Sequence, residues 1–385
     1  MAAQNRLADA RSRRIRILYI LDGFPDPHAG TESQFWLLFR RLDRTKFEPS
    51  ILLLKHSAFL EANVTDACVE CLHVTRLRSP ASVLRIMAAA VRARLRGIDV
   101  VHLFFNDVSL VFPPLLYLLR IPVIVSRRDL GFWYTPGVLR LLRINARMVS
   151  AVIANCEQVR NAVAAAERYP ASKLHVIYNG LTCSAPAHSR DLRAELNIAF
   201  DAALITVVAN LRPLKRIEDA VRALALMPVE GSPAHLLIVG EDRKGNSGRS
   251  HQSELTELAA SLGCADRVHF IGKLADPMPV IAASDICVLC SETEGLSNVV
   301  IEYMSAGKPA VCTSVGGNVE LIEEGRTGSL VPARAPDQLA QAIVSLLRDP
   351  DRMRAYGEAA RVRARELFAA DRMIERHERL YMSLA

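Results

Sequence analysis

Ile286-Cys287-Val288-Leu289-Cys290, running on into Ser291-Glu292-Thr293-Glu294-Gly295-Leu296-Ser297-Asn298-Val299-Val300-Ile301-Glu302, is the stretch that decides the fold. The apolar run reads as a buried strand, a turn with Gly295 follows, and 298–305 before Gly307 reads as a helix. Glu294 then lies on the turn leaving the strand. Glu302, eight positions on, lies one turn into the helix. The first amides of a helix have no partners within it and attract anions. Amides for a pyrophosphate, one carboxylate for ribose hydroxyls and one for a sugar make an arrangement that suits a nucleotide-sugar.

The same step repeats along the chain. Arg16-Ile17-Leu18-Tyr19-Ile20-Leu21 reads as a first buried strand, followed by a Gly/Pro-rich loop and a helix over 32–42. Short apolar runs recur at 51–54, 100–105, 123–126, 151–154 and 174–178, and again at 204–210, 235–239, 268–271, 286–290, 310–313 and 330–331. Helical stretches separate most of them, the pattern of an α/β protein whose parallel sheets are covered on both faces. Residues 181–189 carry no periodicity and read as a linker between two domains. The tail 336–385 reads as helical with a break at Asp349-Pro350-Asp351. Ligands of open α/β sheets bind at the carboxyl ends of the strands, so two such domains predict a site in a cleft between them.

At 385 residues the chain is long enough for two cores, and 23% charged residues is ordinary for a globular protein. Residues 1–185 hold 25 Lys and Arg against 14 Asp and Glu; residues 186–385 hold 23 against 27. A basic half beside an acidic one predicts that the first half meets an anionic surface or acceptor. The Arg-rich start has no apolar h-region, and the uncharged run 108–119, with Pro113-Pro114, is too short to span a bilayer. The expectation is a cytoplasmic protein. Cys68-x-x-Cys71 and Cys287-x-x-Cys290 have zinc-knuckle spacing but lie far apart, and the second pair would point to opposite faces of its strand. They read as buried small hydrophobes, with no metal expected.

Other candidates sit just after predicted strands. Gly30 permits close backbone approach and Thr31 is placed to cap the following helix; an ordinary strand–helix turn explains the pair equally. The loop lacks G-x-G-x-x-G, which counts against a nicotinamide site. Arg212 and Lys215, three apart around Pro213, can grip one pyrophosphate and stabilise a departing diphosphate, or form a solvated turn. Gly316-Gly317 allows tight backbone near a ligand. His102 lies in an apolar strand centre, where a structural histidine is the plainer reading. Arg85, Arg92, Arg94 and Arg96, and then Arg140, Arg143 and Arg147, mark basic amphipathic helices, suited to an anionic membrane or to a solvated face. Aromatics are not interleaved with these arginines, which disfavours nucleic acid.

In order, these motifs resemble the retaining glycosyltransferases of the GT-B fold, group 1 and family 4. The matching residues are Gly30-Thr31-Glu32, Asp99-Val100-Val101-His102, Ala154-Asn155-Cys156-Glu157, Val176 to Gly180, Arg212 to Lys215 and Val239-Gly240-Glu241. They continue through Phe270-Ile271-Gly272, Glu294 to Glu302, Ala306-Gly307-Lys308-Pro309 and Gly316-Gly317-x-x-Glu320. The resemblance implies two Rossmann-like domains facing a central cleft: 1–185 for the acceptor and 186–365 for the nucleotide-sugar. A helix 366–385 is expected to pack back toward the first domain. It implies transfer of a sugar from a nucleoside-diphosphate sugar to a glycan or lipid-linked acceptor with retention, in polysaccharide or glycolipid biosynthesis, without metal or cofactor. Glu294, Arg212 and Lys215 would be catalytic. Gly30, Ile271, Gly295, Leu296, Ser297, Asn298, Val299 and Glu302 would bind the donor. Many family members carry a histidine where this chain runs Arg127-Arg128-Asp129, so Arg128 or a neighbour takes that place and Arg128 is expected at acceptor or donor phosphate, with His102 a second acceptor candidate. Peripheral attachment to the inner face of the plasma membrane is the accompanying expectation. The rivals are a nucleotide-sugar epimerase of like architecture, for which no poised bases are found, and a non-catalytic nucleotide-sugar binder.

Overall fold

The computed structural model describes residues 13–74, 76–181, 191–229, 233–244 and 247–385; the linker read at 181–189 lies almost wholly outside them. The chain divides into two compact units, one ending at Gly180 and regaining Ala370–Ala385, the other Leu181–Ala369.

In the first unit the strands are β1 (Ile15–Leu21), β2 (Phe47–Leu53), β3 (Val69–Cys71), β4 (Val100–Phe104), β5 (Val123–Arg127), β6 (Ala151–Ala154) and β7 (Leu174–Val176). They form one parallel sheet in the order β3-β2-β1-β4-β5-β6-β7. Every residue of β4, β5 and β6 is buried, as a sheet covered on both faces requires. The edge strand β3 escapes an apolar-run reading because Glu70 sits at its centre.

The second unit holds β8 (Leu204–Val208), β9 (His235–Val239), β10 (Val268–Gly272), β11 (Ile286–Leu289), β12 (Ala310–Thr313) and β13 (Gly328–Val331), all parallel, in the order β10-β9-β8-β11-β12-β13. Each sheet reverses its strand order once, between β1 and β4 and between β8 and β11. The loops leaving those strands diverge there and open a crevice, the usual ligand position in such sheets.

The helix after β1 spans Gly30–Arg41, with Ala29 at its N-cap and no side-chain cap bond. Thr31 is therefore the second helical residue and does not cap. Gln34, one turn in, is buried and pairs with the Gly180 peptide, donating to its carbonyl at 3.0 Å and accepting from its N–H at 2.8 Å.

The last helix, Ala370–Leu384, belongs to the first unit and completes its core with Met373, Ile374, Leu380 and Tyr381. The Tyr381 hydroxyl lies 2.8 Å from His102 Nδ1 and 3.3 Å from the Tyr19 hydroxyl, while His102 Nε2 meets Ser126 Oγ at 2.8 Å. Glu378 accepts from the Asp43 N–H at 2.9 Å. Among the described residues no helix is long and apolar enough to cross a membrane.

Tyr381→Phe keeps the ring but strips the buried His102 and Tyr19 of a polar partner, and should cost about 1–3 kcal/mol. Tyr381→Ala should cost about 3–5 kcal/mol through the cavity it leaves. Urea midpoints read both, and equal midpoints for wild type and Tyr381→Phe would mean the hydroxyl network adds nothing.

Candidate functional site

The loops after β8 and β11 meet at the second sheet's crevice. The first carries Asn210 to Arg216, with a short 3₁₀ turn at Pro213–Lys215. The second carries Cys290 to Ser297 and leads into the helix Asn298–Ser305. The Glu292 N–H donates to the Leu214 carbonyl at 2.9 Å, and the Cys290 thiol to the Lys215 carbonyl at 3.3 Å. So joined, the loops bring Lys215 Nζ to 2.6 Å from Glu294 Oε1. Arg212 is exposed and, among the described residues, has no ion pair or side-chain hydrogen bond.

A third loop fixes Glu294 from behind. Gly316 (φ +51°) approaches so closely that a Cβ there would sit 1.8 Å from the Glu294 carbonyl oxygen. The next amide, Gly317 N–H, donates to the Gly295 carbonyl at 2.6 Å. Gly240, after β9, backs onto Ala209 in the same way, where a Cβ would fall 1.9 Å from the carbonyl oxygen. Both glycines follow strands and serve backbone contact.

Gly295, Leu296 and Ser297 form the turn, and Asn298 and Val299 open the helix; Ser297, its N-cap, makes no side-chain cap bond. Glu302 is half-buried on that helix without a hydrogen-bonded side-chain partner among the described residues. Burial, with the Asp276 charge adding to it, pushes its carboxyl up to about 7. Tyr303 beside it is fully buried, accepting from the Val208 N–H at 2.9 Å and so tying the helix to the end of β8. Ile271 lies near the carboxyl end of β10, where the Gly272 carbonyl accepts from the Gly240 N–H at 3.0 Å.

Gly30, Arg128 and His102 belong to the first unit. Gly30 opens its helix and is exposed. Arg128 is half-buried beyond the end of β5, donates to Asn179 Oδ1 at 2.5 Å and feels the Glu32 charge; burial brings its guanidinium down to about 10. His102 is fully buried, both ring nitrogens are occupied, and burial holds it neutral well below the usual histidine range. That is a core histidine with no atom left for an acceptor.

Three features of this unit escape sequence reading. Asp22, directly after β1, accepts from the Asn106, Asp107 and Val108 amides at 3.1, 2.9 and 2.8 Å, which open the helix Asn106–Leu118. Burial still outweighs those bonds and raises its carboxyl to about 6. Arg127 forms a buried bidentate pair with Glu167 at 2.7 and 2.9 Å, and Glu167 also accepts from Tyr134. Asp129 accepts from Gly131 N–H and Trp133 Nε1, so the segment after β5 is held at both ends. An acid followed by glycine at a strand end was the available signal for Asp22; Glu167 had none. Among the described residues no cluster of three or more His, Cys, Asp or Glu could hold a metal; Cys287 and Cys290 are buried free thiols, but Cys68 is exposed and Cys71 half-buried on the edge strand, so the buried reading fails for that pair.

Two family profiles match the chain: "Glycosyltransferase Family 4" over residues 29–184 and "Glycosyl transferases group 1" over residues 188–363. The N-acetyl-alpha-D-glucosaminyl L-malate synthase of Bacillus anthracis is 32% identical over 190 residues, 49% of this chain and 48% of that protein. The D-inositol 3-phosphate glycosyltransferase of Gordonia bronchialis is 30% identical over 248 residues, 61% of this chain and 53% of that protein. The chain thus spans about half the length of these relatives. Among solved structures, Anabaena Alr3699/HepE in complex with UDP superposes with a TM-score of 0.84 at 23% identity, covering 96% of this chain and 100% of that one. The same protein is solved with UDP-glucose. A glycosyltransferase from Rickettsia africae gives 0.82 at 19% identity, covering 97% and 99%. At such identities the likeness establishes the GT-B fold.

Gly316→Ala should lower the stability of the second unit by at least about 1 kcal/mol, since relief requires moving the Glu294 backbone. Thermal denaturation reads it; a variant as stable as wild type would mean the close approach is not needed.

Proposed function

Because the chain belongs to the glycosyltransferases of group 1 and family 4, a retaining family, we propose that it moves a hexose from a nucleoside-diphosphate sugar to a hydroxyl of a glycan or lipid-linked acceptor with retention. The observation that carries this reading is the Lys215–Glu294 pair at the β8–β11 crevice, with Glu302 on the helix that follows. An ammonium has three donors, so Lys215 can hold Glu294 and a phosphate oxygen together. Arg212 supplies a second cation from the same loop, and the two oppose the charge that grows on the departing diphosphate. In this reading Glu294 contacts the transferred sugar, Glu302 accepts from ribose hydroxyls, and Gly295 to Val299 and Ile271 line the rest of the donor. The bond from the sugar to the diphosphate breaks while the acceptor oxygen bonds to the same face, and the acceptor's proton passes to the leaving phosphate. Gly30 and Arg128 are proposed phosphate contacts of the first unit.

The UDP and UDP-glucose complexes of the Anabaena protein support a UDP-sugar as donor. Calorimetry with UDP, GDP and ADP tests the reading on wild type and Glu302→Ala. Tight binding of one diphosphate, lost at least tenfold in the variant, is expected. Binding of none would refute it. A carboxylate accepts from hydroxyls more strongly than a protonated carboxyl does, so with Glu302 near 7 the affinity should be full only above pH 7. Below it, affinity should fall by up to about tenfold per unit. In Glu302→Gln the part of that pH dependence contributed by Glu302 should vanish, leaving only that of the diphosphate's own ionisation.

For the first unit we propose peripheral contact with an inner-leaflet membrane surface through the helix Pro80–Leu95. Its outer face carries Leu84, Met87, Val91 and Leu95, the last 80% exposed. Its arginines are largely spent within the protein: Arg92 and Arg96 pair with Glu70, and Arg85 donates to the Leu72 and His73 carbonyls. In the second stripe Arg143 donates to the Ala166 carbonyl. Attachment in this reading therefore rests on apolar insertion more than on charge. Sedimentation with phosphatidylglycerol vesicles should be lost in Leu84→Asp/Leu95→Asp; equal sedimentation would end the idea.

A further inference from the structure

The loop that backs Glu294 is itself held from behind. Gly316 and Gly317 run directly into a helix of four residues, Asn318–Leu321. A helix that short has little stability of its own, and its last carbonyls lack partners within it. Arg363 supplies them. From the long helix Pro350–Leu367 its Nε donates to the Leu321 carbonyl at 3.1 Å and its Nη2 to the Glu320 carbonyl at 2.8 Å, while Nη1 pairs with Glu323. All three nitrogens of one guanidinium are thus spent at the end of this short helix, and the side chain is only 24% exposed. The fork is rigid, so these bonds fix direction as well as distance.

At its other end the short helix is tied to the strand ends. Asn318 Nδ2 donates to the Thr313 carbonyl at 3.0 Å, and Thr313 Oγ1 to the Ser291 carbonyl at 2.7 Å. Just ahead of it the Gly317 N–H holds the Gly295 carbonyl, and Gly316 presses on the Glu294 carbonyl. A displacement at Arg363 therefore reaches Glu294 through the main chain of residues 316–321. The long helix also touches the helix of Glu302, at a separate place. A Cβ on Gly357 would fall 2.1 Å from the carbonyl oxygen of Gly307, just past the end of Asn298–Ser305. That contact is main chain on main chain and does not use the Arg363 guanidinium.

We propose that Arg363 is a positioning residue for Glu294, acting through the helix Asn318–Leu321. The sugar contact assigned to Glu294 rests on the glycosyltransferase reading; the clamp rests on the geometry of the second unit alone. Removing the guanidinium frees the end of the short helix, and the loop that presses on Glu294 gains room to move. Glu302 keeps its place, because Gly357 holds the end of its helix independently. Loss of Arg363 thus loosens recognition of the sugar and spares recognition of the nucleoside diphosphate.

The test compares wild type with Arg363→Met and with Arg363→Lys, which keeps the charge beside Glu323 but not the fork. Amide hydrogen exchange is followed over residues 291–297 and 314–321, with β8 and β9 as internal reference, and UDP and UDP-glucose are titrated calorimetrically in the same samples. In Arg363→Met the amides of 291–297 and 314–321 should exchange at least about tenfold faster while β8 and β9 keep their wild-type rates. The ratio of UDP-glucose to UDP affinity should fall about three- to tenfold, with UDP affinity itself within about twofold of wild type. Arg363→Lys should lie between, and it carries the test if the methionine variant does not fold. Unchanged exchange over 291–297 would overturn the proposal. So would exchange raised equally in β8 and β9, which marks a merely structural residue, or an unchanged affinity ratio where both nucleotides bind. Failure of wild type to bind either nucleotide, with the local exchange as expected, would instead strike the glycosyltransferase reading and leave the clamp on Glu294 standing.

Discussion

Every pairing of the described strands is parallel, and the rest of the structure depends on that constraint. Parallel neighbours cannot be joined by a tight turn, so each link crosses a face of the sheet, and the strands are buried from both sides. All the carboxyl ends then emerge on one edge of each sheet, with their polar loops. A single reversal of strand order in each sheet parts those loops. Lys215 and Glu294, 79 positions apart, meet because they leave the two strands on either side of such a reversal.

Placement within the crevices comes from backbone contact. Gly316 against Glu294 and Gly240 against Ala209 leave no room for a Cβ, so main chain stacks on main chain and the loops have little freedom. Against that frame the Lys215–Glu294 pair, with side chains 30% and 11% exposed, is a positional device. Desolvation offsets much of its Coulomb energy, so its main effect is to orient a cation and a carboxylate toward the same space. The first unit uses the same means in Asp22, which gathers three amides, and in Arg127, whose buried pair with Glu167 anchors the segment after β5.

The core of the first unit is closed by the chain's last helix. His102 and Tyr381 are 279 positions apart, yet their hydrogen bond lies at the centre of a fully buried aromatic cluster with Tyr19 and Phe104. An apolar strand centre explains why a histidine there is buried. It does not say what will satisfy its nitrogens, and a buried ring nitrogen without a partner is costly.

The strands, the α/β class and the positions of Glu294, Glu302, Arg212 and Lys215 were legible in the residues, because apolar runs and the turns after them are local properties. The start of the helix at Gly30 rather than 32, the strand around Glu70 and the internal spending of Arg85, Arg92 and Arg96 were not, because a neighbour decides each of them. Sequence order by itself determined most of the elements, though not the edge strand around Glu70, and which side chains stand at the ends of the strands it marks. Only the tertiary structure decided which of those ends lie together, as with Asp22 beside the 106–108 amides or Lys215 beside Glu294. The physical reason is that strand order in a sheet is set by packing between faces far apart in sequence, and no local pattern carries it.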